Sequence, residues 1–356
     1  MPHPFAAFYR GKRVLVTGHT GFVGGWLVAW LKLLGARVCG YSLPPSARPN
    51  FFDATLLDRA ITSVFADVRG RDTLANTFAD FQPEIVFHAA AQSNPATDAV
   101  EIFGTNIMGI INVLEEARLT GCARAIVVIS GSHRGRHGED SQGSADLLRA
   151  SHAAAELSVL ALADSLFRES RTGIVTAHVP YLIGGGDWTE SRMVPALLHG
   201  LMSEQLIVIH DGSAVFHCCH VLDGARACLH LAEDLYTSGP VMSGSRNFSP
   251  SDHHTSEEEF AKRFVSYWGR EDAQVEVHRS PAAAPTCRYS PVKQQPYPGW
   301  RPALSLEEAI VWTVDWYKAF YADPATVWRT TEAQIEQYAK LPFSHPAVLD
   351  ATTVSR

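Results

Sequence analysis

Short apolar runs alternate with stretches of helical periodicity through the first half of the chain. Residues 12–18 (KRVLVTG) predict a strand that stops at a glycine turn, and residues 22–34 carry apolar side chains at helical spacing until Gly35. The same alternation predicts further strands at 36–41, 61–66, 84–88, 124–130 and 173–179, and helices at 71–81, 100–119 and 146–168. This order predicts an α/β fold, a Rossmann-type doubly wound parallel sheet with helices on both faces.

Three glycines follow the first predicted strand with the spacing G-x-x-G-x-x-G and open the first predicted helix. In this context the first glycine allows a sharp turn, the second lets the backbone approach a pyrophosphate, and the third lets helix and strand pack closely. The helix N-terminus adds free N–H groups and a partial positive charge. The segment therefore predicts a dinucleotide-binding site formed by Gly18, Thr20, Gly21, Phe22, Val23 and Gly24.

Two later strand ends extend this predicted cofactor site. Asp67 and Val68 follow the third strand, at a place that suits a contact on the adenine side. Ala89, Ala90 and Ala91 follow the strand at 84–88 and offer small side chains where the cofactor must pass. Consecutive alanines also occur in plain packing, so they support the site only together with the glycines.

The end of the second strand leaves two choices of dinucleotide. A carboxylate there would favour NAD by bonding the ribose, but Tyr41 and Ser42 stand in its place. Arg48 lies nearby and could accept a 2′-phosphate, although a solvated loop arginine is the simpler interpretation. We predict NAD, with NADP as the alternative.

The apolar pattern loses its rhythm after about residue 180, where Gly, Pro, His and Trp become dense. We predict an NAD(P)-binding Rossmann domain over residues 1–180, with 206–235 returning to its sheet edge. Residues 181–205 and 236–342 are predicted to form a smaller C-terminal substrate-binding lobe, and 343–356 a tail. A chain of 356 residues suits one large domain or two unequal ones.

Composition narrows the possible partners. The formal net charge of −7, without any run of Lys and Arg, argues against a nucleic-acid surface. No stretch reaches the ~18 consecutive apolar residues that span a membrane, and residues 1–10 lack the basic and apolar regions of a signal peptide. Six scattered cysteines without a C-x-x-C pair predict a cytoplasmic protein. The cluster from His217 to His220 predicts no metal, because the adjacent Cys218 and Cys219 cannot easily close one tetrahedral site.

Taken together, these residues resemble the extended short-chain dehydrogenases/reductases, and among them most closely the CDP-glucose 4,6-dehydratases. The resemblance is carried by GKRVLVTGHTGFVGGWL (11–27), PEIVFHAAAQ (83–92), TNIMG (105–109), IGGGDW (183–188) with Arg192 and Pro195, HVLD (220–223), NFSP (247–250) and GWRPALSLEEAI (299–310). It implies a nucleotide-sugar substrate, NAD used catalytically and a cofactor-site role for Asn106. It also implies a homodimer in which helices 100–119 and 146–168 form a four-helix interface.

The resemblance fails at the reaction centre. In the family, a Tyr phenolate takes a proton from the sugar 4-hydroxyl, and a Lys four residues later on the same helix face lowers the Tyr pKa. Here Leu148 and His152 stand at those positions, and Ser132 and His133 replace an acid and its neighbour after the central strand. Leu148 cannot ionise, whereas histidine titrates near neutral pH. Ser132, His133 and His152 are therefore the predicted catalytic residues.

Substrate recognition is also altered relative to the family. His178 and Tyr181 replace an Arg and an Asn, and Phe216 stands where an Arg would touch the nucleotide diphosphate. The leading hypothesis is an NAD(P)-binding enzyme that modifies a nucleotide sugar through a divergent reaction centre. The alternatives are a catalytically inactive homologue that acts as a binding or scaffold protein, and a non-redox isomerase or lyase with His as base.

Overall fold

Seven parallel strands form the central sheet of the computed structural model, which describes residues 5–94, 96–131, 147–189, 192–209, 215–248, 254–270, 273–277, 297 and 300–342. The strands are β1 Arg13–Thr17, β2 Arg37–Ser42, β3 Thr62–Phe65, β4 Ile85–His88, β5 Ala125–Gly131, β6 Gly173–Val179, β7 Tyr181–Ile183, β8 Ile207–Ile209, β9 Val215–His220, β10 Gly244–Asn247, β11 His254–Ser256 and β12 Val275–Val277. The helices are α1 Ala6–Tyr9, α2 Phe22–Leu33, α3 Phe51–Ala54, α4 Arg71–Phe81, α5 Ala99–Phe103, α6 Gly109–Thr120, α7 Leu147–Leu166, α8 Met193–Ser203, α9 Val221–Ser238, α10 Glu257–Trp268, α11 Leu306–Ala322 and α12 Val327–Ala339. A π-helical turn, Gly104–Met108, joins α5 to α6.

The strand order of the sheet is β3-β2-β1-β4-β5-β6-β10, and every neighbouring pair is parallel. The direction of winding reverses between β1 and β4. Thr17 pairs with His88 across this reversal, so the carboxyl ends of the two strands are level. Ligands of doubly wound sheets bind outside the strand ends at such a reversal, and the glycine turn after β1 lies there.

Helices cover both faces of the sheet and bury a separate apolar core on each. On one face α2 and α9 contribute the fully buried Trp26 and Leu229. On the other face α4, α6 and α7 contribute Leu74, Val113 and Val159. Because both faces are covered, β4 and β6 are buried along their whole length, as continuous apolar strands of a parallel sheet should be.

A smaller lobe lies beyond the carboxyl end of β6. It contains a three-stranded sheet of order β11-β9-β7 and the parallel pair β12-β8, together with α8 and α10. The last helix, α12, then packs back against α2, where the rings of Trp30 and Tyr338 meet edge to face with centroids 5.6 Å apart. The C-terminal part of the described chain thus contacts the sheet domain directly.

The predicted α/β fold is confirmed, as are the strands and helices predicted for the first half of the chain. The predicted bounds of the return to the sheet, 206–235, are wrong. Ile207–Ile209 pairs with β12 and Val215–His220 pairs with β7 and β11, whereas α9 and β10 rejoin the sheet over residues 221–247. The sequence of β10, GSRN, has no apolar run to mark it as a strand.

None of the described helices combines the length and the apolar character needed to cross a bilayer. The predicted tail, residues 343–356, lies outside the described residues.

Candidate functional site

The glycine turn between β1 and α2 has a backbone that admits no side chain at two positions. Gly18 has a φ of +72°, and a Cβ there would lie 2.6 Å from the backbone nitrogen of Ala90. A Cβ on Gly24 would lie 2.2 Å from the carbonyl oxygen of Gly18. The turn can therefore pass close to the end of β4, and α2 can start directly against it.

The middle glycine leaves the amino end of α2 open. Gly21 is the N-cap of this 12-residue helix, and no side chain caps it. A Cβ on Gly21 would meet only the carbonyl oxygen of Gly18, at 3.3 Å, and Gly21 lines the cleft described below. An accessible helix N-terminus without a side-chain cap fits the pyrophosphate of a dinucleotide, because its N–H groups and dipole favour negative charge.

The end of β4 is held against the glycine turn by a buried polar pair. The side-chain oxygen of Thr17 lies 2.8 Å from Nδ1 of His88 and accepts a hydrogen bond from the backbone N–H of Ala90 at 3.4 Å. Burial lowers the pKa of His88 to about 4, so the imidazole is neutral at physiological pH. This pair fixes where Ala89, Ala90 and Ala91 run past the cofactor cradle.

His19, inside the glycine turn, is also buried and neutral. Its ring fills the space where a Cβ on Gly40 would stand, at 2.3 Å, and its Nε2 lies 3.1 Å from the hydroxyl of Ser63. Burial lowers its pKa to about 4. His19 therefore joins the turn to β2 and β3 and adds no charge beside the phosphates.

The predicted adenosine side of the site centres on Asp67. Its two carboxylate oxygens accept hydrogen bonds from Arg69 at 2.6–3.0 Å, which hold the pKa of the Asp67 carboxyl below its usual range. The hydroxyl of Tyr41 donates to the backbone carbonyl of Asp67 at 3.1 Å. Asn112 donates to the carbonyl of Val68 at 3.0 Å and fixes the next residue of the same turn.

Asn106 is a positioning residue and does not line the cleft. It lies in the π-helical turn, buried, and its amide accepts from the N–H of Gln92 at 2.7 Å and donates to the carbonyl of Gln92 at 3.1 Å. The same amide donates to the hydroxyl of Ser151 on α7 at 2.8 Å. The cofactor-site role of Asn106 stays a prediction: its polar atoms join the loop after β4 to α7, and Thr105 beside it lines the cleft.

A cleft of about 1580 Å³ runs from this cradle to the smaller lobe. The predicted cofactor residues that line it are Gly18, Thr20, Gly21, Phe22, Asp67, Val68, Ala89, Ala90 and Ala91. Val23 and Gly24 do not line it, because they lie behind the turn in the first residues of α2. The arrangement brings together glycines, a helix N-terminus and an acid–arginine pair that the sequence separates by about fifty residues.

The smaller lobe contributes an ion pair to the opposite wall. Arg192 lies 3.1 Å from Asp187 and donates to the carbonyl of Leu182 at 2.8 Å, and its guanidinium stacks over the ring of Tyr181 at 4.6 Å. The hydroxyl of Tyr181 accepts from the N–H of Met193 at 3.1 Å. Tyr181 is buried, which raises its pKa, and its ring supports the guanidinium of Arg192.

The predicted catalytic residues are only partly within the described chain. Ser132 and His133 lie outside the described residues. On α7, Leu148 is buried and His152 is half-buried, and neither is among the residues that line the cleft. Leu148 and His152 are four residues apart and share one face of the helix.

A polar triangle on three elements could not be found from the sequence. Nε2 of His178 on β6 lies 2.9 Å from a carboxylate oxygen of Glu156 on α7 and 2.8 Å from the hydroxyl of Ser245 on β10. Ser245 donates to the same Glu156 oxygen at 2.8 Å. His178 and Ser130 are paired residues of β6 and β5, so the triangle lies near the carboxyl end of the strand that leads to Ser132. Only the pairing of β10 with β6 brings Ser245 here.

The His–Cys cluster is structural. Cys218 and Cys219 are buried in β9, which raises the pKa of both thiols, and His220 caps α9 by accepting from the N–H of Leu222 at 3.3 Å. Within the described ranges no three His, Cys, Asp or Glu side chains are grouped so that they could hold a metal ion. Phe216 is buried against Tyr181, with ring centroids 5.7 Å apart.

The fold and the glycine cradle place the chain in a known class: residues 14–241 match the NAD dependent epimerase/dehydratase family, and the chain belongs to that family. It is similar to the CDP-glucose 4,6-dehydratase of Salmonella typhimurium, with 32% identity over 332 residues that cover 88% of this chain and 92% of that protein. The family depends on NAD, and NAD is the cofactor that the cradle fits.

Two solved structures share the fold. The dTDP-glucose 4,6-dehydratase of Bacillus anthracis, in complex with NAD, has a TM-score of 0.68 at 16% identity and covers 88% of this chain and 98% of its own. The UDP-glucose 4-epimerase of Thermotoga maritima, with UDP-glucose, has a TM-score of 0.68 at 19% identity and covers 86% of this chain and 99% of its own. The resemblance inferred from the sequence motifs is thereby confirmed at the level of the family and the fold.

Proposed function

We propose that the protein is an enzyme that holds NAD and modifies a nucleotide sugar through a reaction centre that lacks the Tyr/Lys pair. One observation supports this proposal: the glycine cradle is intact, while α7 carries Leu148 and His152 where the sequence resemblance would put the pair. The relative that is 32% identical acts, by its name, on CDP-glucose. A nucleotide sugar is therefore the class of substrate we assign to the cleft.

The side chains of α7 decide which proton transfers are available. NAD, when bound, supplies a hydride acceptor and donor. Leu148 can neither take nor release a proton, so oxidation of a sugar hydroxyl needs another base. His152 lies one turn further along the same helix face and carries an imidazole, which exchanges a proton near neutral pH. We assign the proton transfer to His152, with Ser132 and His133 as the further candidates that the sequence supplies.

The assignment is tested by turnover of nucleotide sugars by the purified protein, measured together with NAD affinity. We expect His152→Gln to lower kcat by ~100-fold or more while the Kd for NAD stays the same, because general acid–base groups typically contribute that much. His254→Gln is the matched control, since this imidazole is exposed on β11 and does not line the cleft. An unchanged kcat in His152→Gln would remove His152 from the mechanism. A CDP-glucose dehydration rate typical of the family would contradict the divergent centre.

A second candidate is a binding protein without turnover. It is favoured by one observation: among the described residues, neither Leu148 nor His152 lines the cleft. This candidate predicts that NAD and a nucleotide sugar bind to the wild-type protein with no conversion of either. Isothermal titration with CDP-glucose in the presence of NAD, followed by analysis of the mixture by mass spectrometry, separates the two functions.

The assembly we propose is a homodimer in the cytoplasm. The five described cysteines, which form no disulfide, fit a reducing compartment. The dimer would use the outer surfaces of α6 and α7, where large apolar side chains remain exposed.

A further inference from the structure

The end of β2 is where a Rossmann domain meets the ribose that distinguishes NAD from NADP. A carboxylate there bonds the 2′-hydroxyl of NAD and repels the 2′-phosphate of NADP. In this chain the strand ends with Ser42, which lines the cleft. The hydroxyl of Thr20 donates its hydrogen bond to the carbonyl of Leu43 at 3.0 Å. The Thr20 and Ser42 oxygens are 2.9 Å apart, so in this second hydrogen bond Ser42 is the donor and Thr20 the acceptor. Two neutral hydroxyl groups, those of Ser42 and Thr20, thus occupy the place of the carboxylate that would distinguish NAD from NADP.

Two arginines, Arg48 and Arg69, line this end of the cleft. The wall is formed by residues 42–50 and 66–69, and Asp67 is the only carboxylate in these two described stretches. Both of its oxygens are bound by Arg69. The nearest other acid, Asp53, accepts a hydrogen bond from Asn50 at 2.8 Å and does not line the cleft. Nothing in this part of the wall would repel a further phosphate group.

Arg48 supplies an accessible cation on the same wall. Its side chain is 91% exposed and forms a long ion pair with Asp53 at 3.8 Å, which is beyond hydrogen-bond distance. The segment around it contains Pro44, Pro45 and Pro49, whose fixed φ angles limit how far the loop can move from the end of β2. An arginine near this strand end is the group that accommodates a 2′-phosphate in NADP-binding domains.

We propose that this cradle binds NADP as well as NAD, with the 2′-phosphate held by the guanidinium of Arg48 and by the hydroxyl of Ser42, which would exchange its hydrogen bond to Thr20 for one to the phosphate. The inference concerns binding and is independent of the reaction proposed above. It also predicts which substitutions separate the two dinucleotides, because only the 2′-phosphate should depend on Arg48, and only that group should be repelled by an acid at position 42.

The test is the Kd of the cofactor-free full-length protein for NADP and for NAD, measured by isothermal titration. We expect the two wild-type values to lie within about tenfold of each other. Arg48→Ala should weaken NADP by about three- to tenfold, the range of an exposed charge pair with a phosphate, and leave NAD unchanged. Ser42→Asp should weaken NADP by about tenfold or more and leave NAD equal or tighter. Arg59→Ala, an exposed arginine off the cleft wall, is the control for overall charge.

Two results would overturn the inference. One is a wild-type Kd for NADP more than about a hundredfold above that for NAD, since this would mean that another group excludes the 2′-phosphate. The other is an equal loss of both dinucleotides in Arg48→Ala, which would make Arg48 a support for the loop only. NAD affinity in every variant reports whether the cradle has stayed folded, so a misfolded variant cannot imitate the expected result.

Discussion

Because Gly18 has no side chain, the turn can adopt its conformation and the cofactor can approach its backbone. In Gly18→Ala, the methyl group would strain a residue with a φ of +72° and lie 2.6 Å from the backbone nitrogen of Ala90. We expect a loss of at least ~2 kcal/mol in the free energy of unfolding and at least a tenfold loss of NAD affinity. Chemical denaturation and titration with NAD measure the two effects.

Gly11 provides the matched control for this substitution. It has nearly the same conformation, with a φ of +74°, but a Cβ there would meet nothing within 4 Å. Gly11→Ala should therefore cost only the backbone strain, ~1 kcal/mol, and should leave NAD binding intact. Equal effects of the two substitutions on NAD binding would mean that the close approach between Gly18 and Ala90 is not what shapes the cradle.

The role of a residue can be predicted from the sequence when it depends on neighbouring residues in the chain. It cannot be predicted when it depends on a partner that is distant in the sequence. Gly18 and Gly21 act within one strand–turn–helix unit, and their spacing alone predicts the cradle. Asn106 belongs to a motif that can be recognised, but its hydrogen bonds to Gln92 and Ser151 follow from how α7 packs beside the π-helical turn. The motif therefore singles out Asn106, but it does not predict the hydrogen bonds that Asn106 makes.

At the level of elements, α9 is fixed to the C-terminal helices by a buried acid. A carboxylate oxygen of Asp223, in the first turn of α9, accepts from the N–H of Ala303 and from the hydroxyl of Tyr338, both at 2.6 Å. Burial raises the pKa of Asp223 from 3.8 to about 6. A pKa raised by folding means that the protonated acid is the form favoured in the native state.

The sign of the resulting pH dependence follows from this shift. The contribution of Asp223 to stability is complete below its unfolded pKa of 3.8 and is lost as the pH rises through its folded pKa of about 6. This lost contribution lowers the free energy of unfolding by about 3 kcal/mol. Asp223→Asn keeps an oxygen for both donors and carries no charge, so the stability of the variant relative to wild type should rise by most of that amount between pH 4 and pH 7.

Urea denaturation of both proteins at several pH values measures this difference, and other titrating groups cancel in the comparison. Asp80→Asn, at an exposed position of α4, serves as the control and should show no such rise. A difference between wild type and Asp223→Asn that does not change with pH would contradict the account.

Elements with strong periodicity were predictable, and elements defined by their neighbours were not. The helix α4 and the strand β6 have the predicted bounds, since each carries its own apolar pattern. β10 is four residues long and is a strand only because it pairs with β6. The same pairing brings Ser245 to His178, so a triangle of side chains and a strand were missed for one physical reason.

At the scale of the whole molecule, α5, α6 and α7 share a surface on which several large apolar side chains are exposed. Leu157 is 69% exposed and Leu160 37%, and Val100 and Leu119 on α5 and α6 are 83% and 58% exposed. Leu157 and Leu160 lie three residues apart and share one side of α7. A second copy packed on these helices would bury them.

We expect Leu157→Asp combined with Leu160→Asp to convert a dimer into a monomer, because each carboxylate would be buried unpaired in the interface. Light scattering coupled to size-exclusion chromatography measures the mass. Val241→Asp introduces the same charge at a residue that is 63% exposed on a 3-10 turn after α9, and should leave the dimer intact. A monomeric wild-type protein, or a double variant that remains dimeric, would exclude this interface.

The strand β10 lies far along the chain from β6, the strand with which it pairs, and this separation determines when the central sheet can be completed during synthesis. β6 is buried along its length, yet its outer neighbour is Gly244–Asn247, which follows it in the chain only after β7, α8, β8, β9 and α9. During synthesis the outer edge of β6 therefore stays unpaired until residue 247 has emerged from the ribosome, and an unpaired strand edge is a template for pairing with other chains. A gene fragment that ends near residue 180 would encode a sheet in which the outer edge of β6 has no partner strand, so we do not expect it to fold as a stable smaller protein. Exchange of lobes between relatives must likewise carry the 244–247 segment with the sheet that it completes.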